Sequence, residues 1–419
     1  MKKFLFAFLS FVSISSHAQT FTTATKPEEV GMSSTRLERM DKFLQGYVDQ
    51  QKVPNAVAFI ARKGKIVYYK AFGLSNTETK TVVKKNDIFR IASQSKAIAS
   101  LAVMMLFEEG KFSLDDAVSM YIPEFKNPKV LDRLNWADTT YTTIPAKSEV
   151  TIRQLLTHTS GIDYAGIGSQ EFKAIYAKAG LVSGIGNHTS TIGEKMKILG
   201  GMPLKHHPGE QYTYGLNIDV LGYLVEVWSG MPFDKFLSTR IFQPLGMNDT
   251  YFYLPKEKHN RLVAIHQTKN GVYTPVKSKI FDGVNPEYPT LEGTYFSGGA
   301  GLSSTIEDYA KFLQMFLNGG EYNGAHILSR KTIELMLTNQ TQAPVTAQLG
   351  LGFGLETELN DSRSVVSLGT FSWGGAFTTN YWADPKAKLV GLVFTNIYGS
   401  NSGDIGTRFR NLVYQAIID

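Results

Sequence analysis

The feature that most restricts this chain is an apolar run, Leu101-Ala102-Val103-Met104-Met105-Leu106-Phe107, with Ser93-Gln94-Ser95-Lys96 a few residues ahead of it. A helix that is apolar on every side belongs in the middle of a protein. If Ser93 opens that helix, Lys96 lies one turn on and on the same face, so a hydroxyl and an amine point at one spot. Backbone N–H groups left unpaired at the helix start are aimed there too, where they can hold a developing negative charge. A capping serine followed by a solvated lysine would use the same two residues. The pair gains chemical meaning only from what the rest of the chain brings to it.

The 419 residues suffice for a large core and two subdomains, since single cores stop growing at about 250–300 residues. A composition of 43% hydrophobic and 19% charged residues is that of a globular chain. Residues 1–18 read as a secretory signal peptide: Lys2 and Lys3 supply the basic start, Phe4 to Val12 the apolar run, and Ser16-His17-Ala18 the cleavage site. Cleavage near Ala18-Gln19 would deliver the protein to a bacterial periplasm or beyond. No later stretch reaches the ~20 apolar residues of a membrane-spanning helix. Removing Lys2 and Lys3 lowers the formal charge from +6 to +4, which gives no support to nucleic-acid or other polyanion binding. The absence of cysteine excludes disulfides, a thiol nucleophile, a cysteine-anchored lipid and cysteine-ligated metals.

Periodicity predicts a capped helix over 33–51, then strands over 56–61 and 66–71 joined by a tight turn in which Gly64 takes a positive φ. The helix after Ser93 should end near Gly110. Short helical pieces follow, one over 151–158 capped by Thr151. Residues 180–201, rich in Gly, Ser and Thr, read as an exposed loop or insertion. Helices are expected over 218–229, ended by Gly230, and over 233–241. The bend Ser297-Gly298-Gly299-Ala300-Gly301-Leu302 introduces a helix over 306–317, with Thr305 as cap and Asp308 completing the box. Strands over 378–383 and 389–395, then a helix over 404–417, close the chain. Strands and helices at both ends with helices between them imply an α+β protein: a central antiparallel sheet built from both termini, flanked by helices, plus an inserted, mostly helical subdomain. The expected division is 19–100 with 295–419 for the sheet subdomain and 101–294 for the helical one.

Two further elements would make Ser93 a nucleophile: a second base and a strand edge for a substrate. Tyr212-Thr213-Tyr214-Gly215-Leu216-Asn217 can present a tyrosine hydroxyl to a cleft from a loop ahead of a helix. Phe371-Ser372-Trp373-Gly374-Gly375-Ala376-Phe377 runs into a strand, and its paired glycines allow a ligand backbone close approach or simply make a turn. S-x-x-K, the Tyr motif and the Gly-containing strand, in that order and at intervals of 121 and 159 residues, resemble the β-lactamase-related serine hydrolases: class C β-lactamases, serine DD-peptidases and family VIII carboxylesterases. Leu155-Leu156-Thr157-His158-Thr159-Ser160-Gly161, Pro244-Leu245-Gly246-Met247 and Trp382-Ala383-Asp384-Pro385 extend the resemblance over nearly all of the mature chain.

The resemblance implies a β-lactamase/transpeptidase-like fold and acyl transfer through an acyl-enzyme. Ser93 is then the nucleophile, Lys96 and Tyr214 carry its proton, and the N–H groups of Ser93 and Ala376 form the oxyanion hole. Either Lys96 or Tyr214 can be the formal base. Ser95 lies off the face shared by Ser93 and Lys96, and His158 reads as a turn-stabilising side chain. His206-His207 read as surface residues without a third ligand at metal spacing. No G-x-S-x-G occurs. No metal or organic cofactor is implied.

Departures from the lactamase pattern point to the substrate. Trp373-Gly374-Gly375 stands where the lactamases have Lys-Thr-Gly, and tryptophan cannot pair with an anion. Leu216 replaces the usual Asn of the Tyr motif, with Asn217 one place late. With Trp373, Gly374, Gly375 and Leu216 as its substrate-binding residues, the pocket resembles that of family VIII esterases and implies small-molecule esters of neutral, hydrophobic groups. Lys205 could restore anion binding. β-Lactamase or D-Ala-D-Ala carboxypeptidase/amidase activity is the alternative, and an inactive cell-envelope binding module is the alternative of a different class.

Overall fold

The computed structural model describes residues 20–186, 189–281, 283–399 and 404–419; the signal-peptide reading of 1–18 lies outside them. An eight-stranded sheet forms the centre, in the order Thr22–Thr23, Lys65–Asn76, Asn55–Arg62, Leu389–Phe394, Thr379–Asp384, Phe371–Gly375, Gly354–Leu355, with Thr81–Val82 added to Lys65–Asn76. The two halves of the sequence meet in mid-sheet, where Val57 pairs with Phe394 and Arg62 with Leu389. The expected antiparallel sheet from both ends is therefore present, with one correction: Thr22–Thr23 runs parallel to Lys65–Asn76. Lys63 and Gly64 form the two-residue turn between the first long strands, and both have positive φ, as a primed hairpin turn requires.

Both faces of the sheet are covered. Successive residues of Asn55–Arg62 point alternately up and down and are all buried, so the strand reads as continuous apolar sequence. Ala56, Ala58 and Ile60 pack with the helices Ser34–Asp49 and Ile405–Tyr414 on one side. Val57, Phe59 and Ala61 face the larger core on the other, shared with the helices Ile306–Leu317 and Ser95–Glu108. That core continues without a break into Ile152–Leu156 and Asn217–Ser229. The central helix, Ser95–Glu108, is buried at every residue from Ser95 to Leu106.

Local signals explain most boundaries. Ser33, Thr151 and Thr305 cap their helices through Arg36 N, Gln154 N and Asp308 N; Gly110 and Gly230 end theirs in the left-handed region. Asp308, expected to reach back to its cap, instead accepts from Asp249 N at 2.7 Å, so that capping box is half built. Part of 180–201, expected as a loop, is the helix Ile192–Gly200, whose Thr191–Glu194 capping box outweighs its glycines. Periodicity also passed over the hairpin Lys129–Asn135 with Thr140–Pro145, which lies largely exposed and so carries little apolar alternation.

Candidate active site

Ser93 does not open the α-helix itself. It lies on a 3₁₀ turn, Ala92–Gln94, that feeds into Ser95–Glu108. From Ile91 to Leu106 every residue is buried except Ser93, so this one hydroxyl is offered to solvent from an otherwise enclosed segment. Ala92 holds φ 43°, a strained value for a residue with a β-carbon. Ser95 shows what maintains the turn: its hydroxyl donates to Ala92 O at 2.7 Å and accepts from Leu302 N at 3.1 Å. Ser95 is thus buried and fully engaged, a brace for the turn and unavailable as a nucleophile.

Tyr214, 121 residues away in sequence, comes to 2.7 Å from Ser93 Oγ. Gly215 permits this, since a β-carbon there would lie 2.0 Å from Ile162 O. The Tyr214 ring is flanked by His158, Tyr164 and Trp373, with centroids at 4.9, 5.5 and 6.1 Å. Lys96 Nζ lies 3.4 Å from Ser93 Oγ and 4.4 Å from the Tyr214 ring centre. It donates to Gly299 O at 2.7 Å and to Tyr164 Oη at 3.2 Å. With 2% exposure, Lys96 is a buried amine, not a solvated one.

The motif strand Phe371–Gly375 completes the cleft. Gly375 has its own reason to be glycine: a β-carbon would lie 2.3 Å from Thr379 Oγ1 and 2.4 Å from Ile91 O, two residues before Ser93. Gly374 is exposed and has ordinary clearance. Trp373 is half-buried against Tyr214, and Ala376 is exposed in the turn that follows the strand.

Three expectations require correction. Leu216 has no exposed surface and packs in the main core, because it forms the N-terminal end of the Asn217–Ser229 helix; it does not line the cleft. Asn217 is equally buried and offers nothing to a substrate: its amide nitrogen meets His158 Nδ1 at 3.0 Å and its carbonyl oxygen accepts from Ser160. His206 is no surface residue but a buried one, bonded at 2.8 Å to both His207 O and Thr213 Oγ1, just ahead of Tyr214. His158 does more than stabilise a turn, since its ring packs on Tyr214. Burial, with the Lys96 charge added, holds it well below the ordinary histidine range, so it is neutral. Lys205 pairs with Asp163 at 3.2 Å.

Two polar residues of the site carried no motif. Tyr164 follows the Thr-His-Thr-Ser-Gly stretch and is buried against Lys96; burial first, then Tyr214 and Asp219, pushes its phenol well above the usual value. Asp219 stands in an otherwise apolar helix start, Ile218-Asp219-Val220-Leu221, and is fully buried. An acid inside such a run is the signal that could have found it.

A hydroxyl beside a phenol and a buried amine, at a strand edge, is an arrangement able to deprotonate an alcohol and attack a carbonyl. The chain matches the family model for Beta-lactamase over residues 40–415. It is 29% identical to Esterase EstB of Burkholderia gladioli over 90% of this chain and 94% of the relative. It is 27% identical to a putative D-alanyl-D-alanine carboxypeptidase of Escherichia coli K12, over 92% and 87%. Among solved structures, EstCE1, a hydrolase with promiscuous acyltransferase activity, superposes with a TM-score of 0.77 at 25% identity, covering 91% of this chain and 98% of that one. The chain therefore belongs to the β-lactamase family and is a serine hydrolase.

Proposed function

We propose that this protein is an exported carboxylesterase that acts on small-molecule esters of neutral, hydrophobic groups through an acyl-enzyme at Ser93. Ser93 Oγ attacks the ester carbonyl while its proton passes into the Tyr214–Lys96 pair, and the carbonyl oxygen, now negative, is held by the N–H groups of Ser93 and Ala376. The tetrahedral adduct expels the alcohol, which leaves with that proton. Water, deprotonated by the same pair, then releases the acid and restores Ser93.

The observation that carries the substrate reading is Trp373, stacked 6.1 Å from Tyr214 at 30°. The wall beside the nucleophile is aromatic at the place where the lactamase pattern has a cation. Lys205, the other candidate for anion binding, is committed to Asp163. The likeness to Esterase EstB adds support, as does the resemblance of the first eighteen residues to a signal peptide for the export.

The test is direct. Purified protein is offered p-nitrophenyl butyrate and nitrocefin in parallel, and the expected result is turnover of the ester far above that of nitrocefin. Preferred nitrocefin hydrolysis would make the protein a β-lactamase, and silence toward both would favour a peptidase or a binding module.

A further inference from the structure

Lys96 is a buried ammonium for which, among the described residues, no carboxylate lies in ion-pair contact. Burying a charge with no counter-charge nearby is costly. A carboxylate in its neighbourhood is Asp219. A β-carbon built on Gly299 would lie 2.7 Å from Asp219 Oδ2, 3.2 Å from Tyr164 Oη and 3.5 Å from Lys96 Nζ. The three polar groups therefore converge on one backbone position. Carboxylate and ammonium are no more than about 6 Å apart, within the range where opposite charges bias each other.

Gly184 closes the other side, where a β-carbon would meet Ser297 Oγ at 2.7 Å and both Asp219 oxygens at 3.4 Å. The Ser297 hydroxyl, the Gly299 N–H and the Tyr295 phenol favour the ionised carboxylate, yet none makes a hydrogen bond of full geometry to either oxygen. Asp219 has 0% exposure. A structural aspartate in a core is tied by strong hydrogen bonds; this one is left to act through its field.

We propose that Asp219 is the positioning residue for Lys96: a buried counter-charge that keeps the amine seated on the Gly299 carbonyl, beside Ser93 and Tyr214. The inference rests on the acyl-enzyme reading of Ser93. The titratable and charged groups facing Asp219 are Lys96 from the Ser95–Glu108 helix, Tyr164 from the loop after Ile152–Leu156, and Tyr295 ahead of the Gly-rich bend. Burial holds both phenols well above their ordinary range, so they stay neutral. Burial also raises the Asp219 carboxyl to about 6, with Ser297 and Lys96 pulling against it. Below that pH the carboxyl is protonated and Lys96 loses the counter-charge that seats it, which gives the reaction its acid limb.

The experiment measures kcat/KM for p-nitrophenyl butyrate and the rate of Ser93 labelling by a fluorophosphonate, both from about pH 5 to pH 9. Wild type should show an acid limb with its midpoint near that of Asp219. Asp219→Asn should lose that inflection and run at least about tenfold slower on the plateau. Its melting temperature at pH 8 should fall, because the substitution leaves Lys96 buried without its counter-charge. Ser297→Ala, which takes away a group favouring the ionised form, should move the limb to higher pH; if Asp219→Asn folds poorly, this variant decides. An unchanged inflection in both variants, with wild type active, would overturn the role of Asp219 alone. A wild type that neither turns over ester nor takes the label would overturn the acyl-enzyme reading and this inference with it.

Discussion

Tyr214 is gripped on three sides by rings and bonded at its tip to Ser93, so removing its hydroxyl should leave the ring where it is. Tyr214→Phe is expected to cost about 10²–10⁴-fold in kcat, the usual worth of a positioned proton-transfer group, while the circular dichroism spectrum and melting temperature stay within error of wild type. A small loss of rate would move proton transfer to Lys96 alone. The three residues with motif spacing were legible because chemistry fixed their types: an alcohol, an amine and a phenol. Tyr164 was not, because it is recognised by what it faces from another element, Lys96, and sequence spacing carries no information about that; Asp219 showed only as an acid inside an apolar run, with its partner unseen. Leu216 was misjudged for the same reason. Its position in the motif is right, but the helix that starts there turns its side chain into the core.

The elements are held to one another by close backbone approaches that glycine makes possible. Gly375 lets Phe371–Gly375 lie against the carbonyl of Ile91, and so sets the distance from this strand to the Ser93 turn. Gly375→Ala forces a β-carbon to within 2.4 Å of a backbone oxygen that cannot swing away. It should lower kcat/KM by more than about tenfold and destabilise the fold by about 1–3 kcal/mol, measured by ester turnover and urea unfolding. Gly374→Ala, with its nearest neighbour at 3.4 Å, should change stability little. Equal behaviour of the two variants would contradict this assignment. Helices and strands with strong caps or unbroken apolar alternation, such as Ile306–Leu317 and Leu389–Phe394, could be read to within a residue or two. The Ile192–Gly200 helix could not, because its glycines mimic a loop until the Thr191–Glu194 box is seen closed. The paired glycines at 374–375 looked like one device and are two: one serves the chain's own backbone, the other lies open to the cleft.

On the scale of the whole molecule, the sheet is a single body made from residues 55–76 and 354–394, and the chain between them is packed onto its face. The expectation of a sheet built from both ends followed from element order alone; the parallel Thr22–Thr23 pairing did not, being only two residues long. Buried histidines tie this body to pH. His266 is fully buried and accepts from Thr77 N at 3.2 Å, and burial lowers its pKa to about 4. Its unfolded form takes a proton near pH 6.5, whereas its folded form resists until about 4. The stability it contributes is therefore complete above about pH 6.5, is lost progressively as pH falls below that, and is gone once pH has fallen through about 4. Its share is on the order of 2 kcal/mol between pH 8 and pH 5. Urea midpoints should fall over that interval, and His266→Gln should flatten the dependence; an identical slope in the variant would assign the effect to other groups.

The proposed acyl-enzyme places the acyl group on one hydroxyl, that of Ser93. Intact-mass measurement and peptide mapping after exposure to a fluorophosphonate locate it. One adduct per chain is expected, on the peptide containing Ser93, with no adduct and no ester turnover in Ser93→Ala. An adduct on another residue, or hydrolysis surviving in Ser93→Ala, would contradict it.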